Sequence, residues 1–233
     1  MVNKTLPLSP RLAMVAGLVR EGARFADVGT DHAYLPIYLL GEGRLTLAVA
    51  ADIAEGPLDR ARENLAAAGL LDRVTLLLAD GLSGREGMGL TDIAIGGMGG
   101  EMIASILAAA PFVRDPSLRL ILQPMTKADH LRRYLAAEGF SVISERYATE
   151  DGRVYLCLSA VYDGLVRSLS PVTAVLGEYE RREQRDKEAY LAYLTVRERE
   201  ICGRLHGKRI GGADTREEEA LLAAISEERN RSV

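Results

Sequence analysis

The hydrophobic positions of this chain fall into two alternating rhythms. Short apolar runs cover Arg24 to Val28, Leu45 to Ala51, Val74 to Ala79, Asp92 to Ile95 and Leu118 to Leu122. Runs of that length bounded by glycine and polar residues read as buried strands. Between them lie stretches with helical spacing. One runs from Tyr34 to Leu40. A second is opened by Pro57 and carries Leu58, Ala61, Leu65 and Ala68 before Gly69. Glu101 to Ala109 and Lys127 to Glu138 complete the set, and a Gly-rich loop from Gly84 to Gly89 joins the third and fourth strands. Ahead of the first strand, Ser9 is placed to cap a short helix, with Pro10 at its first position and Leu12, Val15, Ala16 and Val19 on one face.

Two more strand-like runs follow, Ser141 to Arg146 and Val154 to Val161, joined by the polar turn Glu150-Asp-Gly-Arg153. With no helix between them, one must run antiparallel. The pattern predicts an α/β fold over residues 1–164, a doubly wound seven-stranded sheet. From Leu165 onward strands stop. Val172, Leu176, Tyr179, Tyr190, Leu194, Ile201 and Leu205 recur at helical spacing, Gly207 and Gly211-Gly212 interrupt, and Asp214 or Thr215 caps a helix with Leu221, Leu222 and Ile225. An antiparallel, coiled-coil-like helical pair over residues 165–233, projecting from the sheet, is expected.

Composition narrows the function classes. Of 233 residues, 48% are hydrophobic, and 29 Lys and Arg stand against 33 Asp and Glu, a net charge of -4. That argues against indiscriminate nucleic-acid binding and leaves room for a local basic patch. Basic and acidic residues balance from Arg167 onward, so the acidic excess belongs to the sheet region. No apolar run reaches transmembrane length, and the start Met1-Val-Asn-Lys-Thr5 has no signal-peptide pattern. A cytoplasmic protein is expected, with Cys157 and Cys202 as reduced thiols in apolar faces. His32, His130 and His206 are scattered, and no ligand cluster points to a metal.

The chemistry gathers at strand ends. Asp27, Asp52 and Asp80 close or nearly close the first three strands, and open α/β sheets bind ligands beyond those carboxyl ends. Asp52 lies about 20 residues past the Gly29 turn, the spacing of a ribose-binding carboxylate. Ile53 offers an apolar face to an adenine, and Asp80 with the Gly81 backbone a polar contact. Arg11 and the turn Gly29-Thr30-Asp31-His32 are candidates for an amino-acid end, although Arg11 also reads as a solvated arginine. The turn lacks the Gly-x-Gly-x-x-Gly of a pyrophosphate site, and Asp31 would repel phosphates. A cationic sulfonium bearing an ammonium suits Asp31, which favours S-adenosylmethionine over NAD.

Gly96-Gly97-Met98-Gly99-Gly100 follows the fourth strand. Glycines admit a flat base close to the backbone and Met98 can pack on it; a flexible strand-to-helix turn is the plainer alternative. The Asn/Asp, double-proline and aromatic set typical of exocyclic-amine methylation is missing, which points to a ring nitrogen. Its product is cationic, so a nearby carboxylate would help. Asp31 is the first candidate and His32 the second, with an ordinary turn role for His32 also open. Gln123 and Pro124 end the fifth strand on the same rim. Lys127, Arg132 and Arg133 then form either a phosphate patch or a solvated helix face. The tail cations Arg181, Arg182, Arg185 and Lys187 are interleaved with acids and read as a salt-bridged surface.

Taken together, Asp27-Val-Gly-Thr-Asp-His-Ala-Tyr-Leu-Pro36, Ala51-Asp52-Ile53, Ala79-Asp80-Gly81, Gly96-Gly-Met-Gly-Gly100 and Leu122-Gln-Pro-Met125 resemble the TrmK family, bacterial tRNA adenine-N1 methyltransferases acting at position 22. The resemblance covers nearly the whole chain. It implies a class I methyltransferase domain, S-adenosyl-L-methionine as donor, tRNA as partner, and a coiled-coil tail that helps grip it. The expected cofactor-binding set is Arg11, Asp27, Gly29, Thr30, Asp31, Asp52, Ile53, Asp80, Gly81, Gly96 and Gly97. Asp31, His32 and Met98 are the catalytic candidates, and Met98, Gly99, Gln123, Pro124, Lys127, Arg132 and Arg133 the substrate-binding ones. A monomer is expected. The alternative is a methyltransferase acting on a small molecule or a protein.

Overall fold

The computed structural model of the chain describes residues 7–178 and 186–232. Met1 to Thr5, Tyr179, Arg181, Arg182 and Arg185 lie outside the described residues. Seven strands, β1 (Ala23–Val28), β2 (Leu45–Asp52), β3 (Val74–Leu78), β4 (Asp92–Met98), β5 (Arg119–Pro124), β6 (Phe140–Glu150) and β7 (Arg153–Tyr162), form one sheet in the order β3-β2-β1-β4-β5-β7-β6. The first five pair in parallel, and β7 is antiparallel to both β5 and β6. The predicted hairpin is therefore present, with β7 as the reversed strand.

Both sheet faces are covered, which is why the inner strands read as unbroken apolar runs. Side chains alternate between the two layers. Ala26, Val28, Ile93, Ile95, Leu120 and Leu122 share one core with α4 (Gly100–Ala108) and α5 (Ala128–Ala137). Phe25, Ala48, Ala50, Ala94 and Ile121 face α1 (Pro10–Ala16), α2 (Tyr34–Gly41) and α3 (Glu55–Ala67). Chain order reverses about β1, whose neighbours are β2 and β4. The crevice this opens at the strands' carboxyl ends is the usual ligand position in such sheets.

Several boundaries differ from the sequence reading, among them the sixth strand, which runs on past Arg146 to Glu150. The fourth strand does not stop at Ile95 but continues through Gly96 and Gly97 to Met98, with a bulge at Gly97. The second long helix begins at Glu55, ahead of Pro57. Gly207 does not end a helix: after α6 (Pro171–Leu176), α7 runs unbroken from Lys187 to Ile210. Buried Ile201 and Leu205 offset the roughly 1 kcal/mol that a mid-helix glycine costs.

The last helix, α8 (Arg216–Ser232), returns along α7. Lys208–Glu218, Arg209–Glu219 and Arg229–Glu198 ion pairs fix the two as antiparallel, as expected. The near half of the pair does not project freely. Tyr190 and Tyr193 pack their rings 5.0 and 5.1 Å from that of Tyr147 on β6. Leu194, Ile201, Leu221 and Ile225 are buried in the same apolar cluster as the sheet residues Ile93 and Leu158. Cys157 is a buried free thiol, whereas Cys202 is exposed rather than set in an apolar face. Among the described residues, no helix is long and apolar enough to cross a membrane.

Candidate active site

A cavity of about 1160 Å³ lies over the carboxyl ends of β1, β2, β4 and β5. It is walled on one side by α1, through Arg11, Leu12 and Val15. Every residue of the expected cofactor set lines it: Arg11, Asp27, Gly29, Thr30, Asp31, Asp52, Ile53, Asp80, Gly81, Gly96 and Gly97. His32, Met98 and Gln123 line it too. Residues far apart in sequence thus meet because parallel strands end on one edge.

The turn after β1 is held open by backbone geometry. Gly29 has φ +76°, and a Cβ there would sit 3.1 Å from Met98 Cε and 3.2 Å from the Gly96 carbonyl. Only glycine fits this crossing. Asp31 and Ala33 also take left-handed φ, +50° and +56°, and such non-glycine residues concentrate at functional turns. Asn64 Nδ2 donates to the His32 carbonyl at 3.0 Å, tying the turn to α3. His32 stacks on Tyr34 with centroids 5.2 Å apart, and its Nε2 is 3.5 Å from Asp31 Oδ2. The Asp31 side chain is 62% exposed and free to meet a ligand.

The carboxylates differ by environment. Asp27 is buried beneath the turn and accepts a hydrogen bond from Thr30 Oγ1 at 2.7 Å. Burial pushes its carboxyl up to about 6; the Thr30 bond and the Arg11 charge act downward, and the Asp52 charge acts upward. Asp52 is half-buried, and its Oδ1 accepts from the Ala54 N–H at 3.0 Å. Asp80 is exposed at the mouth. Ile53 is 69% exposed beside Asp52, an apolar surface that a flat ring would cover.

At the floor, β4 carries its bulge between Gly96 and Met98. Bulges next to active sites re-aim side chains, and here Met98 points into the cavity. Gly99 and Gly100 serve a different end. A Cβ on Gly100 would strike the Lys127 carbonyl, and Gly100 N–H donates to the Thr126 carbonyl at 2.8 Å. The last glycines of the cluster therefore let α4 and α5 start side by side, and Gly99 does not line the cavity.

The substrate-binding expectation needs correction at the helix. Arg132 cannot belong to a surface patch: it is 2% exposed and paired in two hydrogen bonds, 2.9 and 2.8 Å, with buried Glu145. It also donates to the Ala174 and Val175 carbonyls, and Tyr147 Oη donates to Glu145. Position 132 falls on the α5 face that holds Leu131, Leu135 and Ala136, whereas Arg133 and Lys127 are exposed. Pro124 is buried, and none of Pro124, Lys127 and Arg133 lines the cavity.

Sequence reading missed Glu150 and Tyr155. Glu150 Oε2 accepts from the Arg11 N–H at 2.8 Å, and the Arg11 guanidinium lies 5.6 Å from the Tyr155 ring centre. Burial alone would raise the Glu150 carboxyl, but the Arg11 N–H, the Ser9 hydroxyl and the Arg11 charge hold it below the usual range. No local pattern announces partners 139 positions apart. Tyr34, Met102 and Met125, each more than 40% exposed, give the cavity an apolar rim.

This fold and this cavity define a class I, Rossmann-like methyltransferase domain, and a methyltransferase-domain family model matches residues 8–158. The chain is 38% identical over 167 residues to the tRNA (adenine(22)-N(1))-methyltransferase of Bacillus subtilis, covering 69% of this chain and 70% of that one. The crystal structure of the B. subtilis M1A22 tRNA methyltransferase TrmK matches with a TM-score of 0.76 and 31% identity, covering 97% of each chain. A Streptococcus pneumoniae protein crystallised in complex with S-adenosyl-L-methionine matches with a TM-score of 0.80 and 31% identity, over 95% of this chain and 99% of that one. The chain belongs to the TrmK family.

Proposed function

We propose that the protein transfers a methyl group from S-adenosyl-L-methionine to N1 of adenine 22 in tRNA. The observation that carries this reading is the convergence of three acidic strand ends and the Gly96-Gly97-Met98 bulge on one cavity. The donor set suits the cofactor. Asp52 presents a carboxylate to a ribose diol, Ile53 and the Gly81 backbone flank an adenine, and the Arg11 cation and Asp31 carboxylate match an amino-acid end. A cationic ligand is also favoured by an acidic edge with no phosphate-binding glycine motif.

S-adenosyl-L-methionine supplies an electrophilic methyl group. The chain's residues do the rest. Gly96 and Gly97 leave room for a flat base, and Met98 with the apolar rim of Tyr34, Met102 and Met125 replaces the stack that the base must leave. Asp31 is placed to stabilise positive charge that develops on the methylated ring, with His32 beside it. Lys127 and Arg133 stand outside the cavity, where they would meet backbone phosphates. We assign cofactor and base binding to residues 1–164 and additional tRNA contact to residues 165–233, and we take the protein to act as a cytoplasmic monomer.

The test is to incubate tRNA with the protein and methyl-labelled cofactor and to map the modified nucleotide. Label at adenine 22 is expected. Label on a protein or small molecule with no RNA present would establish the alternative instead.

A further inference from the structure

Gln123 is 1% exposed and ends β5 inside the cavity wall. Its carboxamide joins three parts of the site. Oε1 accepts from Arg11 Nη1 on α1 at 3.2 Å and from the Gly97 N–H on β4 at 3.3 Å. Nε2 donates to the Pro124 carbonyl at 3.2 Å and lies 3.6 Å from Met125 Sδ.

Each contact meets a specific need. Gly97 is the extra residue of the bulge, so the ladder leaves its N–H without a strand partner. Gly97 itself is exposed, but the acceptor is the buried Gln123 side chain, so a part-buried bond from the protein takes the place of the missing ladder partner. The backbones come close enough that a Cβ on Gly96 would stand 3.4 Å from Gln123 Cβ. Arg11 presents the second need. Among the described residues its guanidinium hydrogen-bonds to this neutral oxygen and makes no ion pair. Asp27 and Glu150 feel its charge from farther away. An amide orients the cation without neutralising it. A glutamate would reach the same two donors but would close an ion pair with Arg11.

We propose that Gln123 is a positioning residue with two roles: it holds Arg11 as an unpaired cation for a ligand carboxylate, and it pins the Gly97 bulge that presents Met98 to the target base. This rests on reading the cavity as the S-adenosyl-L-methionine site. Mechanistically, one side chain then couples the wall that meets the cofactor's amino-acid end to the floor that meets the base.

The experiment compares full-length wild type, Gln123→Glu and Gln123→Met. Calorimetry measures S-adenosylhomocysteine and 5′-methylthioadenosine, which keeps the nucleoside and thioether but has no carboxylate. For Gln123→Glu, S-adenosylhomocysteine affinity should fall about tenfold, the scale of one lost charge-assisted hydrogen bond, with methylthioadenosine affinity unchanged. Equal losses for both ligands, or none for either, overturn the Arg11 role. Gln123→Met is uncharged and of similar length, so it keeps the inference testable if the glutamate variant does not fold. It should lower kcat about tenfold, by the same scale of one hydrogen bond, and leave KM for tRNA unchanged. Full kcat in that variant overturns the bulge role. A wild-type protein that binds neither ligand overturns the reading of the cavity itself, and this inference with it.

Discussion

Gly29 and Met98 approach each other across the carboxyl edge of the sheet: a Cβ built on Gly29 would lie 3.1 Å from Met98 Cε. The turn after β1 and the floor formed by β4 therefore leave no room for a side chain between them, and glycine at position 29 allows the approach. Gly29→Ala should disturb both ends of the site. The left-handed backbone costs an alanine about 1 kcal/mol or more, and the new methyl must displace Met98. Calorimetry should show S-adenosyl-L-methionine affinity reduced about tenfold or more, the factor set by 1.4 kcal/mol. Urea melts should show a stability loss of about 1–2 kcal/mol. Wild-type affinity in this variant would contradict the arrangement.

Asp52 tests the nucleoside end. Its position is set by the Ala54 N–H bond and by its place at the end of β2. Two hydrogen bonds from a ribose diol to a carboxylate contribute about 1.5–3 kcal/mol each. Asp52→Ala should therefore leave no cofactor binding detectable by calorimetry, while circular dichroism stays that of wild type.

Asp27 makes stability depend on pH in an unusual direction. Its carboxyl is raised from 3.8 to about 6 in the folded protein, chiefly by burial. Between those values the folded state holds a proton that the unfolded state has released. The Asp27 contribution to stability thus falls as pH rises from about 4 to about 6, by an amount on the order of 3 kcal/mol. Asp27→Asn can still accept from Thr30 and does not titrate. Urea melts should show this variant gaining on wild type as pH moves from about 4 to about 7, the window set by that linkage. A constant difference across that range would refute the assignment.

Arg132 and Arg133 are neighbours in sequence with opposite fates. Arg132→Ala strands the buried Glu145 carboxylate and should cost about 3–5 kcal/mol in chemical denaturation. Arg133→Ala should change stability by no more than about 0.5 kcal/mol. If Arg133 meets a phosphate, its loss should weaken tRNA binding and make the salt dependence shallower by about one unit in log–log slope.

The tail is tested away from its seat on the sheet. Deleting residues 165–233 would expose the Tyr147 side of the core, where Tyr190 and Tyr193 pack, and so confound folding with tRNA contact. Arg199 is exposed on α7. Arg199→Glu should raise the Kd for tRNA in filter binding at low salt and leave cofactor affinity unchanged; an unaltered tRNA Kd would argue against tail contact there.

The apolar runs and their separations determined a seven-stranded, mainly parallel sheet with one reversed strand among the last two, because burial on two faces leaves a signal in each strand by itself; that the reversed strand is β7, lying between β5 and β6, only the structure decided. The acids at strand ends were equally legible: Asp27, Asp52 and Asp80 each sit beside their own strand, and parallel pairing carries them to one edge. Facts about neighbours distant in sequence were not legible. Helical periodicity did not tell inward Arg132 from outward Arg133, because the partner that makes burial tolerable, Glu145, comes from another element. The Gly97 bulge, the Arg11–Gln123 bond, the Glu150 contact and the seating of α7 on β6 were likewise decided by tertiary packing. Each depends on a donor meeting an acceptor, or a ring meeting a ring, between segments whose relative position exists only once the sheet has closed.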